Sequence, residues 1–69
     1  MNIKYDARVD AAYIQLADEI LSGGVDHTYL CDTTEIDAMI NLDFDADGRL
    51  LGIEIMDASR VLPVEVLRQ

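Results

Sequence analysis

Residues 39–56 read Met39-Ile40-Asn41-Leu42-Asp43-Phe44-Asp45-Ala46-Asp47-Gly48-Arg49-Leu50-Leu51-Gly52-Ile53-Glu54-Ile55-Met56, and this stretch decides the fold. Ile40, Leu42 and Phe44 alternate with Met39, Asn41 and Asp43, and Leu51, Ile53 and Ile55 alternate with Leu50, Gly52, Glu54 and Met56. Strand side chains point to opposite faces with period two, so each run places three large apolar groups on one face. Asp47-Gly48 between them is a hairpin signal, because a type I′ turn needs positive φ at both central residues. A two-residue turn there predicts the pairs Phe44–Leu51, Leu42–Ile53 and Ile40–Ile55 on the core face. The other face receives Asp45–Leu50, Asn41–Glu54 and Met39–Met56. A slip by one residue sets apolar groups against polar ones or glycine, which disfavours a three-residue bulged turn. A four-residue loop keeps the same faces and stays open.

The same residues carry a competing pattern. Asp43, Asp45, Asp47, Gly48 and, after five residues, Glu54 have the spacing of an EF-hand calcium loop, in which alternate oxygen ligands wrap a hard cation. An EF-hand needs a helix on each side, and both flanks here have period two. Gly52 would also open the exiting helix, at a cost of about 1 kcal/mol against Ala. The hairpin is the preferred reading, and a calcium-binding module using Asp43, Asp45, Asp47 and Glu54 is the alternative.

The chain has 69 residues, a net charge of −9 and one cysteine, Cys31. That length is one domain, spanning 1–69, and it buries only about 60% of its unfolded surface. An internal disulfide is impossible and no Cys/His cluster suggests a structural metal. Self-association as a homodimer, or a protein partner, is the remaining source of stability. The charge opposes direct nucleic-acid binding, which rests on Lys and Arg, and opposes adhesion to an anionic membrane. It favours a partner of basic character. An apolar content of 51% is too high for intrinsic disorder. The N-terminus lacks the apolar core of a signal peptide, no run reaches membrane-spanning length, and a lone thiol suits the cytoplasm.

Upstream, Ile3–Asp6 and Ala11–Ala17 predict a first hairpin around a four-residue loop, with Asp6 bonding nearby backbone amides. A connection through Gly23-Gly24 leads to a third strand over 25–32, with Val25, His27, Tyr29 and Cys31 on its core face. Residues 33–38 read as a polar loop anchored by Ile36. After Met56, Asp57 or Ser59 suits the N-cap of a short helical turn, and Pro63 suits the first position of a second. Val61, Leu62 and Leu67 would cover the sheet. The expected fold is mainly β (α+β): an antiparallel sheet of about five strands in meander and hairpin order, with a short C-terminal helical segment.

Little in the sequence suggests catalysis or a cofactor. His27 and Cys31 would be neighbours on a helix, but on a strand they stand about 13 Å apart at ~3.3 Å per residue. The carboxylates sit mostly where turns and caps favour Asp. No phosphate-binding glycine loop precedes a helix, and a single sheet leaves little room for a pocket. The expectation is therefore a non-enzyme without cofactor. Tyr13, Met39, Leu50 and Met56 are expected opposite the core face, and such a Tyr/Met patch on a small domain reads as a protein interface.

Two blocks carry a family likeness: Lys4-Tyr5-Asp6-x-x-x-Asp10-Ala11-x-Tyr13-Ile14-x-Leu16, and Asn41 through Ser59. In this order and spacing they resemble the small bacterial family of unknown function numbered 2283 (DUF 2283). The segment from Ile20 to Asp37 departs most from it. The resemblance implies a compact β-rich fold with no established activity and no catalytic residues to transfer. Some relatives are described as antitoxins encoded beside a small toxin, so an antitoxin-like interaction module is the functional expectation.

Overall fold

A computed structural model describes residues 1–68. Its strands are β1 (Asn2–Asp6), β2 (Ala11–Gln15), β3 (His27–Leu30), β4 (Met39–Phe44) and β5 (Leu50–Met56), followed by helices α1 (Ala58–Val61) and α2 (Val64–Leu67). They form one antiparallel sheet in the order β1-β2-β5-β4-β3. It is a β1–β2 hairpin docked onto a β3-β4-β5 meander. The joint is β2–β5, where Ala12 faces Ile55 and Ile14 faces Ile53. That register continues through Leu42–Ile53 and Ile40–Ile55, so two apolar rows, Ile14–Ile53–Leu42 and Ala12–Ile55–Ile40, cross the three strands β2, β5 and β4.

The central hairpin keeps the expected pairs Leu42–Ile53, Ile40–Ile55, Asn41–Glu54 and Met39–Met56 by another route, whereas the expected Phe44–Leu51 and Asp45–Leu50 pairs do not form. Gly48 N–H donates to the Asp45 carbonyl (3.1 Å) and Asp45 N–H to the Arg49 carbonyl (2.9 Å), with Gly48 at φ +81°. Ala46, Asp47 and Gly48 thus form a three-residue loop, which the alternation argument disfavoured. Phe44 then faces Leu50, while Asp43 already faces Gly52. The extra residue is Leu51, a β-bulge that cancels the one-residue slip of the turn. Two irregularities of opposite sense restore the register that the apolar rows require. The bulge also leaves the Leu51 carbonyl to accept both Leu16 N–H (2.8 Å) and Ala17 N–H (3.1 Å), holding the chain as it leaves β2.

Helices α1 and α2 lie over one face. Ala12, Ile55 and Ala58 are its buried centre, with Tyr5, Ile14, Ile40, Ile53, Val61, Leu62 and Leu67 packed around them. The expected covering role of Val61, Leu62 and Leu67 holds. The cap is small, and the molecule measures 32 × 29 × 18 Å.

Other local expectations are amended. The third strand spans four residues rather than eight, and all four are exposed. Tyr29 faces Leu42 and His27 faces Phe44, the expected side of the sheet, but the helical cap does not bury them. Ile36 sits in a 3-10 turn (Thr34–Ile36) and is 60% exposed, so it anchors nothing. Pro63 stands at the N-cap of α2, one position earlier than expected. Asp57 stands at the N-cap of α1 but makes no side-chain cap.

Candidate functional site

Opposite the helical cap lies the outer face. Pairing places Lys4, Tyr13, Glu54, Asn41 and Leu30 in one row across all five strands. The neighbouring rows carry Gln15, Gly52, Asp43 and Thr28 on one side, and Ala11, Met56 and Met39 on the other. The Tyr13 ring lies over Gly52, where a Cβ would come within 2.1 Å of its hydroxyl. Gly52 is therefore bare because the ring fills its place. Tyr13 Oη donates to Asp43 Oδ2 (2.8 Å) and Thr28 Oγ1 to Asp43 Oδ1 (2.7 Å). Asn41 Nδ2 donates to Glu54 Oε1 (3.0 Å), while Asn41 Oδ1 is buried with no hydrogen-bond partner among the described residues. Desolvation, then the Asp43 hydrogen bond and the charges of Asp43 and Glu54, push the Tyr13 phenol up to about 12.

Of the expected interaction face, Tyr13, Met39 and Met56 share this outer face. Leu50 does not. The bulge pairs it with Phe44 and turns it to the opposite side. Simple alternation along β5 could not reveal this, because the bulge at Leu51 breaks it.

The acids of the calcium pattern are spread out. Asp43 and Glu54 project from β4 and β5, on strands where an EF-hand needs helices. Asp45 turns its Oδ1 back onto the turn, accepting Asp47 N–H (2.9 Å) and Arg49 N–H (2.9 Å). Asp47 sits within the turn. Among the described residues, no group of three or more His, Cys, Asp or Glu side chains is placed to hold a metal ion. His27 begins β3 and half-buried Cys31 follows its end, so strand geometry keeps them apart.

A second cluster was not foreseen. Asp10 has left-handed backbone (φ 52°) and reaches across the fold to α1. Its carbonyl accepts Ala58 N–H (2.9 Å), its Oδ1 accepts Ser59 N–H (2.9 Å) and Tyr5 Oη (2.7 Å), and its Oδ2 accepts Ser59 Oγ (2.7 Å). Asp10 thus performs the N-cap role that Asp57 leaves undone. The Ser59 hydroxyl first, then Tyr5, holds the Asp10 carboxyl below its ordinary range, and the hydrogen bond to Asp10 raises the Tyr5 phenol. No local signal marks such a cap, because donor and acceptor are 49 residues apart.

A surface depression of about 590 Å³ lies at the 3-10 turn, lined by Asp32, Thr33, Thr34, Glu35 and Ile36. It offers carboxylates and hydroxyls. No helix among the described residues is long and apolar enough to cross a membrane.

These features define a small α+β domain: a five-stranded antiparallel sheet, capped on one face by two short helices and open on the other. The sequence profile of one family, described as "Protein of unknown function (DUF2283)", matches residues 2–59, and the chain belongs to that family. The match ends inside α1, so it takes in the whole sheet and the Asp10–Ser59 cap. Neither the curated proteins nor the solved structures contain a match.

Proposed function

We propose that the protein is a non-catalytic interaction module that binds a basic protein in the cytoplasm, as the acidic member of a toxin–antitoxin pair would. One observation carries this reading: the sheet is only half covered. The buried apolar residues are Ala12, Ile55 and Ala58, whereas Tyr29, Leu30, Ile36 and Met39 are all exposed. The accessible surface is 5059 Å², against ~4,300 Å² for a compact monomer of this mass. The excess is similar to the ~800 Å² that each partner gives to a standard interface. The polar clusters support a structural role, since Asp43 is engaged by Tyr13 and Thr28, and Asp10 by Tyr5 and Ser59.

The charge of −9 favours a basic partner over a second copy, because two such chains repel. Affinity capture from the native cell with mass spectrometry tests the proposal. The expected result is a stoichiometric basic protein that salt releases, encoded in the adjacent reading frame. Recovery as a clean monomer, or as a homodimer alone, would overturn it.

A further inference from the structure

The geometry points to the outer edge of β3 as the docking strand: an extended, basic segment of the partner adds there as a sixth strand. This rests on the interaction-module reading and specifies its mode. In β3, Cys31 N–H donates to the Ile40 carbonyl (3.0 Å), and Tyr29 and His27 face Leu42 and Phe44 in the same register. Alternate residues of an antiparallel strand bond to one neighbour, so the amides and carbonyls of Thr28 and Leu30 are directed away from β4.

Edge strands are usually protected by Lys, Pro, a covering element or an inward charge. The opposite edge, β1, carries Lys4. β3 reads His27-Thr28-Tyr29-Leu30, with Tyr29 55% and Leu30 71% exposed on opposite faces. Apolar groups on both faces are the pattern of an interior strand.

Charge selects the occupant. All five basic side chains, Lys4, Arg8, Arg49, Arg60 and Arg68, lie outside residues 9–48. β3 is therefore flanked in the chain by Asp26 and Asp32 and backed on the outer face by Asp43. A second copy would set these acids against each other, whereas a basic strand complements them. Strand alternation fixes the pattern of the ligand. Apolar side chains lie beside Tyr29, Lys or Arg beside Thr28 reach towards Asp43, and one end runs onto the depression holding Asp32 and Glu35.

The test uses the full chain, labelled for NMR, and a peptide of about eight residues alternating Lys and Val. Controls are a Glu/Val peptide and a Lys/Pro peptide. The expected result is that only the Lys/Val peptide binds, protecting the Thr28 and Leu30 amides from exchange. Leu30→Pro removes an outward N–H and leaves the bonds to β4, so it should weaken binding by about tenfold or more without lowering the melting temperature. Leu30→Lys, which keeps the strand, should weaken it similarly through like charge.

Equal binding of the Lys/Pro peptide, or binding that leaves the β3 amides unprotected, overturns the proposal, as does no binding at all. A homodimer lost on Leu30→Pro would assign the edge to a second copy and also overturn it. If native capture yields a basic partner that binds the Leu30→Pro chain undiminished, the module reading stands and the edge proposal fails. If capture yields none while the peptide behaves as expected, the edge is supported and the module reading falls.

Discussion

Replacing Gly52 by Ala puts a methyl group where the Tyr13 ring lies. The new Cβ would come within 2.1 Å of the Tyr13 hydroxyl oxygen, 2.3 Å of Cζ and 2.6 Å of Cε2. No such contact can persist, and the mobile partner is the side chain, so the ring must swing away. That breaks the Tyr13–Asp43 bond, a net loss of about 0.5–1.5 kcal/mol. A strained ring rotamer adds about 0.5–1.5 kcal/mol. Against this, Ala in a strand gains roughly 0.5–1 kcal/mol over Gly. Gly52 is not among the positive-φ glycines, so the backbone accepts Ala. The balance is a destabilisation of about 1 kcal/mol, within a range of roughly 0–2.5 kcal/mol, and each kcal/mol lowers the melting temperature of a domain this size by about 4–8 °C.

The assay is a double-mutant cycle by urea unfolding, with Tyr13→Ala as the second change. In that background nothing opposes the methyl group, so Gly52→Ala should become stabilising by about 0.5–1 kcal/mol. An equal cost in both backgrounds would refute the idea that the ring alone keeps this position bare. As a second readout, the Tyr13 phenol should fall from about 12 towards 10.0 in Gly52→Ala.

Asp10→Gly keeps the left-handed backbone but removes the carboxylate cap, so it should lower the melting temperature and expose the Ser59 amide to exchange, while the Ala58 amide keeps its bond to the residue-10 carbonyl. Asp57→Gly, also at a left-handed position, should leave stability unchanged or slightly raised, since Asp57 caps nothing. The Asp10 and Asp6 carboxyls lie below 3.8, held by Ser59 and Arg8 respectively. Their contribution is complete above the unfolded value and is lost as pH falls through the folded values, so acid unfolding midpoints should shift in Asp10→Asn. Tyr13 works in the opposite sense. Its contribution is complete below 10.0 and lost as pH rises towards about 12, so Tyr13→Phe should flatten the alkaline limb of stability. Gly48→Ala forces a side chain into positive φ and should cost about 1–2 kcal/mol by denaturant unfolding. Millimolar calcium should leave the thermal melt unchanged, because Asp45 is committed to the turn amides.

Much of the sheet was legible in the sequence because alternation reports faces directly. Ile40, Leu42, Ile53 and Ile55 meet as expected, and Asp6–Ala11 closes the first hairpin with Asp6 Oδ1 accepting Arg8 N–H (3.0 Å). The turn itself is not legible, because its three-residue loop and the bulge at Leu51 compensate and leave the same pairs downstream as a regular two-residue turn. Only the strand end records the difference, in the reversal of Leu50. The β2–β5 joint and the Asp10 cap were hidden for a different reason. Both depend on contacts between distant segments, and no local periodicity encodes which hairpin docks where. The outer-face cluster was half visible. Tyr13 and Gly52 were each placed, but their contact follows only from the β2–β5 register. The exposure of β3 was concealed by its own composition, which looks like a strand with neighbours on both sides.

The size of the species that carries the untagged protein in its native cell lysate tests the account most directly. Size-exclusion chromatography at low and high salt, with intact-mass analysis of the peak, gives the answer. The account requires a complex with a basic protein at low salt that separates into its components at high salt. A single unaccompanied chain, or two copies without another protein, at both salt concentrations would contradict it.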